Sequence, residues 1–161
     1  MNAQPFLTAI ANALREVGLE AILVGNAAAA LQGAPVTTLD FDFMFRKTPT
    51  NLRKLKKLAR RLNGTILKPF YPVSDLYRIA VEDTGLQLDF LSAMHGISSF
   101  TSLRSHAQKV AFGGAPMWIA SLEDVVASKK KLGRPRDRAV LDILEKTLNE
   151  KRKAKNKKAQ A

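Results

Sequence analysis

The sequence contains no cysteine, which excludes disulfides, thiolate catalysis and cysteine-ligated zinc. Its only histidines are His95 and His106, too few for an imidazole-rich metal centre, and no G-x-S-x-G turn accompanies a serine nucleophile. No apolar run approaches the roughly 18 residues that a membrane-spanning helix needs. The opening MNAQPFLTAI lacks the basic, apolar and small-residue order of an export signal, so the expected location is cytoplasmic. Acid is scarce too: 14 Asp and Glu stand against 26 Lys and Arg, a net charge of +12. A field of that sign excludes little but favours polyanionic partners such as nucleic acid or nucleotide phosphates.

What is present fits a globular chain, with 46% hydrophobic and 25% charged residues. A length of 161 residues suits one domain, expected over 1–150. The segment KRKAKNKKAQA at 151–161 carries six basic residues and no acid, and reads as a disordered basic tail. Further basic clusters lie within the domain, in LRKLKKLARRL at 52–62 and KKKLGRPRDR at 129–138.

Hydrophobic spacing predicts a helix over 4–17, stopped by Gly18, then a short buried strand at 20–25 and an alanine-rich helix that ends at Gly33. TLDFDFMF at 38–45 reads as a second strand. Thr48-Pro49 opens a helix with Leu52, Leu55, Leu58 and Leu62 on one face. Strands are expected near 65–70, 76–81 and 86–92, followed by a hairpin about Gly113-Gly114. Ser121-Leu-Glu-Asp124 predicts a capped helix to Gly133, and a last helix begins near Pro135. The expected class is α/β (α+β), a mixed β-sheet flanked by helices, with C-terminal helices before the tail.

LDFDFM is the segment with chemistry in it. Residues i and i+2 of a strand share a face, so Asp40 and Asp42 project together while Phe41, Phe43 and Phe45 point to the core. Two like charges on an apolar strand are either an acidic solvent face or an oxygen donor pair suited to Mg²⁺. Gly25-Asn26 ends a strand and opens a helix, where backbone N–H groups can meet a phosphate or Asn26 can act simply as a cap. Asp89 interrupts another apolar strand, LQLDFLS. Phe41, Phe43, Phe45, Phe90 and Trp118 read as core residues, and Tyr71 and Tyr77 as candidate base stackers beside the basic helix.

In this order LVGNAAAALQG, TLDFDF and LQLDF resemble the nucleotidyltransferase superfamily, whose members share a fold with DNA polymerase beta. LEDVVASKKKLGRPRD resembles the lysine and R-P-x-D region of the bacterial branch that contains AbiEii-type toxins. The resemblance covers about residues 20–145.

It implies a nucleotidyltransferase that moves a nucleoside monophosphate from a nucleoside triphosphate to a macromolecular acceptor, RNA or tRNA, in the setting of a toxin–antitoxin pair. Asp40 and Asp42 would hold Mg²⁺ or Mn²⁺. Asp89 would ligate a second ion or deprotonate the attacking hydroxyl, and Gly25 and Asn26 would cradle the β and γ phosphates. Lys129 would neutralise triphosphate charge, with Asp137 orienting it. Two metals would clamp the entering and departing oxygens of an in-line displacement. A homodimer or an antitoxin partner could complete the cleft of so small a chain. Asn26 stands where the family has Gly or Ser, and Val36 where it often has arginine. These departures leave a second reading open: an inactive RNA- or nucleotide-binding module on the same fold.

Overall fold

Alternating and helical apolar patterns become thirteen elements in a computed structural model that describes residues 3–38, 40–67 and 76–160. Helix α1 (Gln4–Val17) buries Leu7, Ile10 and Leu14 along one stripe and stops at Gly18, which takes a left-handed φ of 68°. Strand β1 (Ala21–Val24) is buried throughout and runs directly into α2 (Gly25–Leu31). Strand β2 (Asp40–Phe45) follows, then α3 (Pro49–Arg61), whose first turn is capped by the Thr48 side chain accepting from the Asn51 N–H at 3.0 Å. The remaining elements are β3 (Thr65–Leu67), β4 (Tyr77–Val81), β5 (Leu86–Leu91), α4 (Phe100–His106), β6 (Gln108–Phe112), β7 (Ala115–Ile119), α5 (Leu122–Leu132) and α6 (Pro135–Gln160).

The seven strands form one mixed sheet in the order β3-β4-β5-β2-β1-β7-β6. Only β1–β7 and β2–β5 pair in parallel; the other neighbours are antiparallel. Strand β2 is therefore central, held on one side by β1 and on the other by β5. Its alternation anchors it: Phe41, Phe43 and Phe45 are fully buried, and Phe43 stacks on Phe90 of β5 with ring centroids 5.1 Å apart. Phe45 meets Phe90 and Tyr77 edge-on. Helix α2 packs on β1, β2 and α5, and α5 packs on α6; residues of α5 and α6 line the cleft onto which Asp40 and Asp42 of β2 open.

Three features depart from the sequence reading. Helix α4 is absent from it, because seven residues capped by Ser99 are too few to show a helical period. The basic segment at 151–160, expected as a disordered tail, continues α6 instead; Lys, Arg and Ala are good helix formers, and nothing after Pro135 breaks the helix. Trp118 is only half-buried, with the Arg104 guanidinium 3.0 Å from its ring centroid. The end of the strand expected over 65–70, and Tyr71, lie outside the described residues. Among the described residues no helix is long and apolar enough to cross a membrane.

Candidate active site

Strand pairing assembles the site. Parallel register sets Asp42 of β2 opposite Asp89 of β5, while Asp42 lies opposite Val24, the last residue of β1, on its other side. Asp40 stands opposite Gln87 at the open end of β2 and is exposed. The chain turns from Val24 into α2 at Gly25 with φ +67°, and a β-carbon at that position would lie 2.9 Å from an Asp42 carboxylate oxygen. Glycine is needed there twice over, for the left-handed backbone and for the close approach.

A cleft of about 720 Å³ opens over these residues. Gly25, Asn26, Asp40, Asp42, Asp89, Lys129 and Asp137 all line it. His95 is exposed at its mouth, in the loop after β5.

The electrostatics differ sharply across the cleft. Burial, reinforced by the charges of Asp89 and Asp40, pushes the Asp42 carboxyl up to about 6, with only partial relief from Lys129 and Arg78. No ion pair engages Asp40 or Asp42 among the described residues. Asp89, by contrast, is held by a fork from Arg78 of β4, with Nε donating to Oδ1 at 2.8 Å and Nη2 to Oδ2 at 3.2 Å. On the opposite wall Lys129 lies on the buried face of α5 with Leu122 and Val125. Desolvation holds its ammonium below the usual lysine range, and Asp137, 3.6 Å away, partly offsets that. Asp137 is 1% exposed in the first turn of α6 and accepts from Arg134 Nε at 2.5 Å and Nη2 at 3.1 Å. That fork, with Lys129, keeps its carboxyl below the ordinary value despite burial.

Asn26 does not cap α2: Val24 is the N-cap residue and no side chain bonds the first turn. The Asn26 side-chain oxygen Oδ1 is instead buried without a hydrogen-bond partner, an acceptor with nothing to accept, in a residue that lines the cleft.

A divalent cation can be tested against this donor set. Asp40 and Asp42 offer hard oxygen ligands, the carboxyl repulsion at Asp42 is only partly relieved, and the Asn26 side-chain oxygen is unpaired; these residues fit a magnesium-like ion that takes one or two carboxylates and completes its shell elsewhere. Asp89 is committed to Arg78, and no group of three His, Asp or Glu side chains among the described residues is arranged to hold an ion as it stands.

Arg78, Arg134 and Arg136 are the cleft residues that sequence reasoning missed. A signal existed for Arg78, a charged residue inside the apolar strand YRIAV. Arg134 and Arg136 belong to the basic cluster at 129–138, in which the motif singles out Asp137.

A mixed sheet that presents a D-x-D strand beside a glycine turn, with a further carboxylate one strand away, defines the nucleotidyltransferase class. The chain belongs to the family described as nucleotidyl transferase of unknown function (DUF2204), whose model matches residues 4–160. No curated protein sequence matches it. Among solved structures, a Thermotoga maritima protein assigned to the nucleotidyltransferases is similar with a TM-score of 0.61 at 20% identity, over 91% of this chain and 92% of that one. The antibiotic-resistance factor ANT(2'')-Ia in complex with adenylyl-2''-tobramycin gives a TM-score of 0.63 at 14% identity, over 92% of this chain and 90% of that one. An antigenic nucleotidyltransferase-like protein from Paracoccidioides brasiliensis gives 0.54 at 14% identity, over 91% and 75%. At such identities the likeness establishes the fold.

Proposed function

We propose that this nucleotidyltransferase moves a nucleoside monophosphate from a nucleoside triphosphate to an RNA acceptor, and that it uses Mg²⁺ or Mn²⁺. The observation that carries the reading is the register that sets Asp42 opposite Asp89 beside the Gly25 turn, with the negative charge around Asp42 only partly relieved. Asp40 and Asp42 would hold the cation, which when bound supplies neutralisation of triphosphate charge.

The chain's own residues do the rest. Gly25, lacking a side chain, lets triphosphate oxygens approach the backbone, and Asn26 lies beside them. Lys129, desolvated and tethered to Asp137, presents a poorly hydrated positive charge to the phosphates. The acceptor hydroxyl attacks the α-phosphorus, the bond to the β-phosphate oxygen breaks, and pyrophosphate leaves. Asp89 takes the hydroxyl proton once its carboxylate is free of Arg78. The net positive charge and the basic face of α3 favour a polyanionic acceptor over a cationic small molecule.

The Arg78 fork on Asp89 favours one second reading, a module that binds nucleotide without turnover. Incubation with each α-labelled nucleoside triphosphate, Mg²⁺ or Mn²⁺, and RNA decides between them. Transfer that is lost in Asp40→Ala and in Asp89→Ala supports the enzyme. Nucleotide binding with no transfer from any triphosphate supports the module.

A further inference from the structure

The outer end of α6 is left over when the site is accounted for. The helix begins at the cleft, where Arg136 and Asp137 line the wall, and its middle is packed through Leu144 and Leu148. Lys151 then donates to the Gln32 side chain at 3.3 Å, the last hydrogen bond between the helix and the body among the described residues. From Lys151 to Ala159 every residue is exposed. Six of the residues from 151 to 158 are Lys or Arg, and none is acidic. Lys151 and Lys155, and Lys153 and Lys157, repel at i,i+4 spacing, and only Lys153 has an acid beside it, Glu150 at 3.8 Å, so the arm among the described residues is a largely self-repelling cation that a partner of opposite charge would relieve.

We infer that this arm is a docking surface for the phosphodiester backbone of the acceptor RNA, which it grips at a distance from the end held in the cleft. The inference rests on the RNA-transferase reading above and names the surface that reading lacks. Composition selects the partner. Residues 149–160 contain no apolar side chain larger than alanine, so the arm has no face to bury in a membrane and no anchor for a protein interface. Lysines on every side of an exposed helix suit phosphates, whose recognition needs charge and not shape.

Helix geometry gives the distance. At 1.5 Å per residue, Lys151 lies about 21 Å and Lys158 about 32 Å along α6 from Asp137. For a strand stacked at about 3.4 Å per nucleotide, as in a duplex, the arm would engage RNA roughly six to nine nucleotides from the reacting end. Shorter RNA should not reach it.

The test compares the full chain with a full-chain variant carrying Lys153→Gln, Lys155→Gln, Lys157→Gln and Lys158→Gln, since glutamine keeps helix propensity. Affinity for labelled single-stranded RNAs of about 20 and about 4 nucleotides is read by fluorescence anisotropy from 50 to 200 mM salt. With the longer RNA, the slope of log K against log salt should fall by up to about 3, so the parent loses roughly fiftyfold more affinity than the variant over that range. The 4-nucleotide RNA and Mg²⁺-nucleotide should bind both proteins equally. Equal slopes on the long RNA overturn the inference, and so does an equal loss on both RNAs, which marks a general field effect. A loss confined to duplex DNA or to phosphatidylserine vesicles overturns it in favour of those partners. If arm-dependent RNA binding is found but no label is ever transferred, the arm stands and the transferase reading falls.

Discussion

Replacing Asp42 by asparagine should stabilise the metal-free protein, and only above a definite pH. The Asp42 carboxyl titrates at about 6 in the folded chain against 3.8 as its ordinary value, chiefly because it is buried and secondarily because Asp89 and Asp40 face it. Well below pH 3.8 the group is protonated in both states and costs nothing. Between pH 4 and 6 the unfolded chain loses its proton first, so folding becomes progressively less favourable. Above pH 6 the cost is complete, at about 3 kcal/mol before relaxation and water penetration reduce it. Asparagine keeps the shape and removes the charge. With a chelator present, Asp42→Asn should therefore exceed the parent by about 2 kcal/mol at pH 8 and by almost nothing at pH 4. Urea unfolding at a series of pH values measures this as a midpoint shift of about 1 M. Millimolar Mn²⁺ should then raise the parent's midpoint at pH 8 and leave the variant's unchanged. A variant that is no more stable than the parent at pH 8, or equally displaced at pH 4 and pH 8, would refute the idea that Asp42 carries a desolvated, only partly relieved charge.

Two further substitutions probe the walls of the cleft. Gly25→Ala forces a β-carbon to 2.9 Å from the Asp42 carboxylate at a left-handed backbone position; thermal and urea unfolding should report a loss of at least about 1 kcal/mol, and nucleotide binding should weaken, whereas a wild-type midpoint would count against the close approach. Asp137→Asn leaves Lys129, only 9% exposed, without its counter-charge; urea unfolding at pH 7 should show a loss of about 3 kcal/mol. Because the folded Asp137 carboxyl is held below 3.8, its contribution is complete above about pH 4 and fades as pH falls through the depressed value, so the gap between parent and variant should narrow in acid.

Much of this architecture is legible in local patterns, because local patterns have local causes. The stop of α1 at Gly18, the Thr48 and Ser121 caps and the Gly113-Gly114 hairpin each depend on a few adjacent residues. The same holds for LDFDFM, where strand alternation alone separates the phenylalanine face from the aspartate face. Helix α4 and the helical state of residues 151–160 were not legible: one is too short to display a period, and in the other like charge and helix propensity point in opposite directions.

The sequence by itself determined which residues could do chemistry, since carboxylates in apolar strands and a glycine at a strand-to-helix turn are properties of residue type and spacing. Only the tertiary structure decided which of them meet. Asp42 and Asp89 are separated by 47 positions and become neighbours through parallel pairing of β2 with β5. Arg78 faces Asp89 because β4 returns antiparallel on the other edge of β5. Pairing then separates two aspartates that look alike in sequence: Asp89 is held by a guanidinium fork, while Asp42 has only partial relief from Lys129 and Arg78. Desolvation and pairing depend on what the rest of the chain places around a group, and no local pattern contains that information.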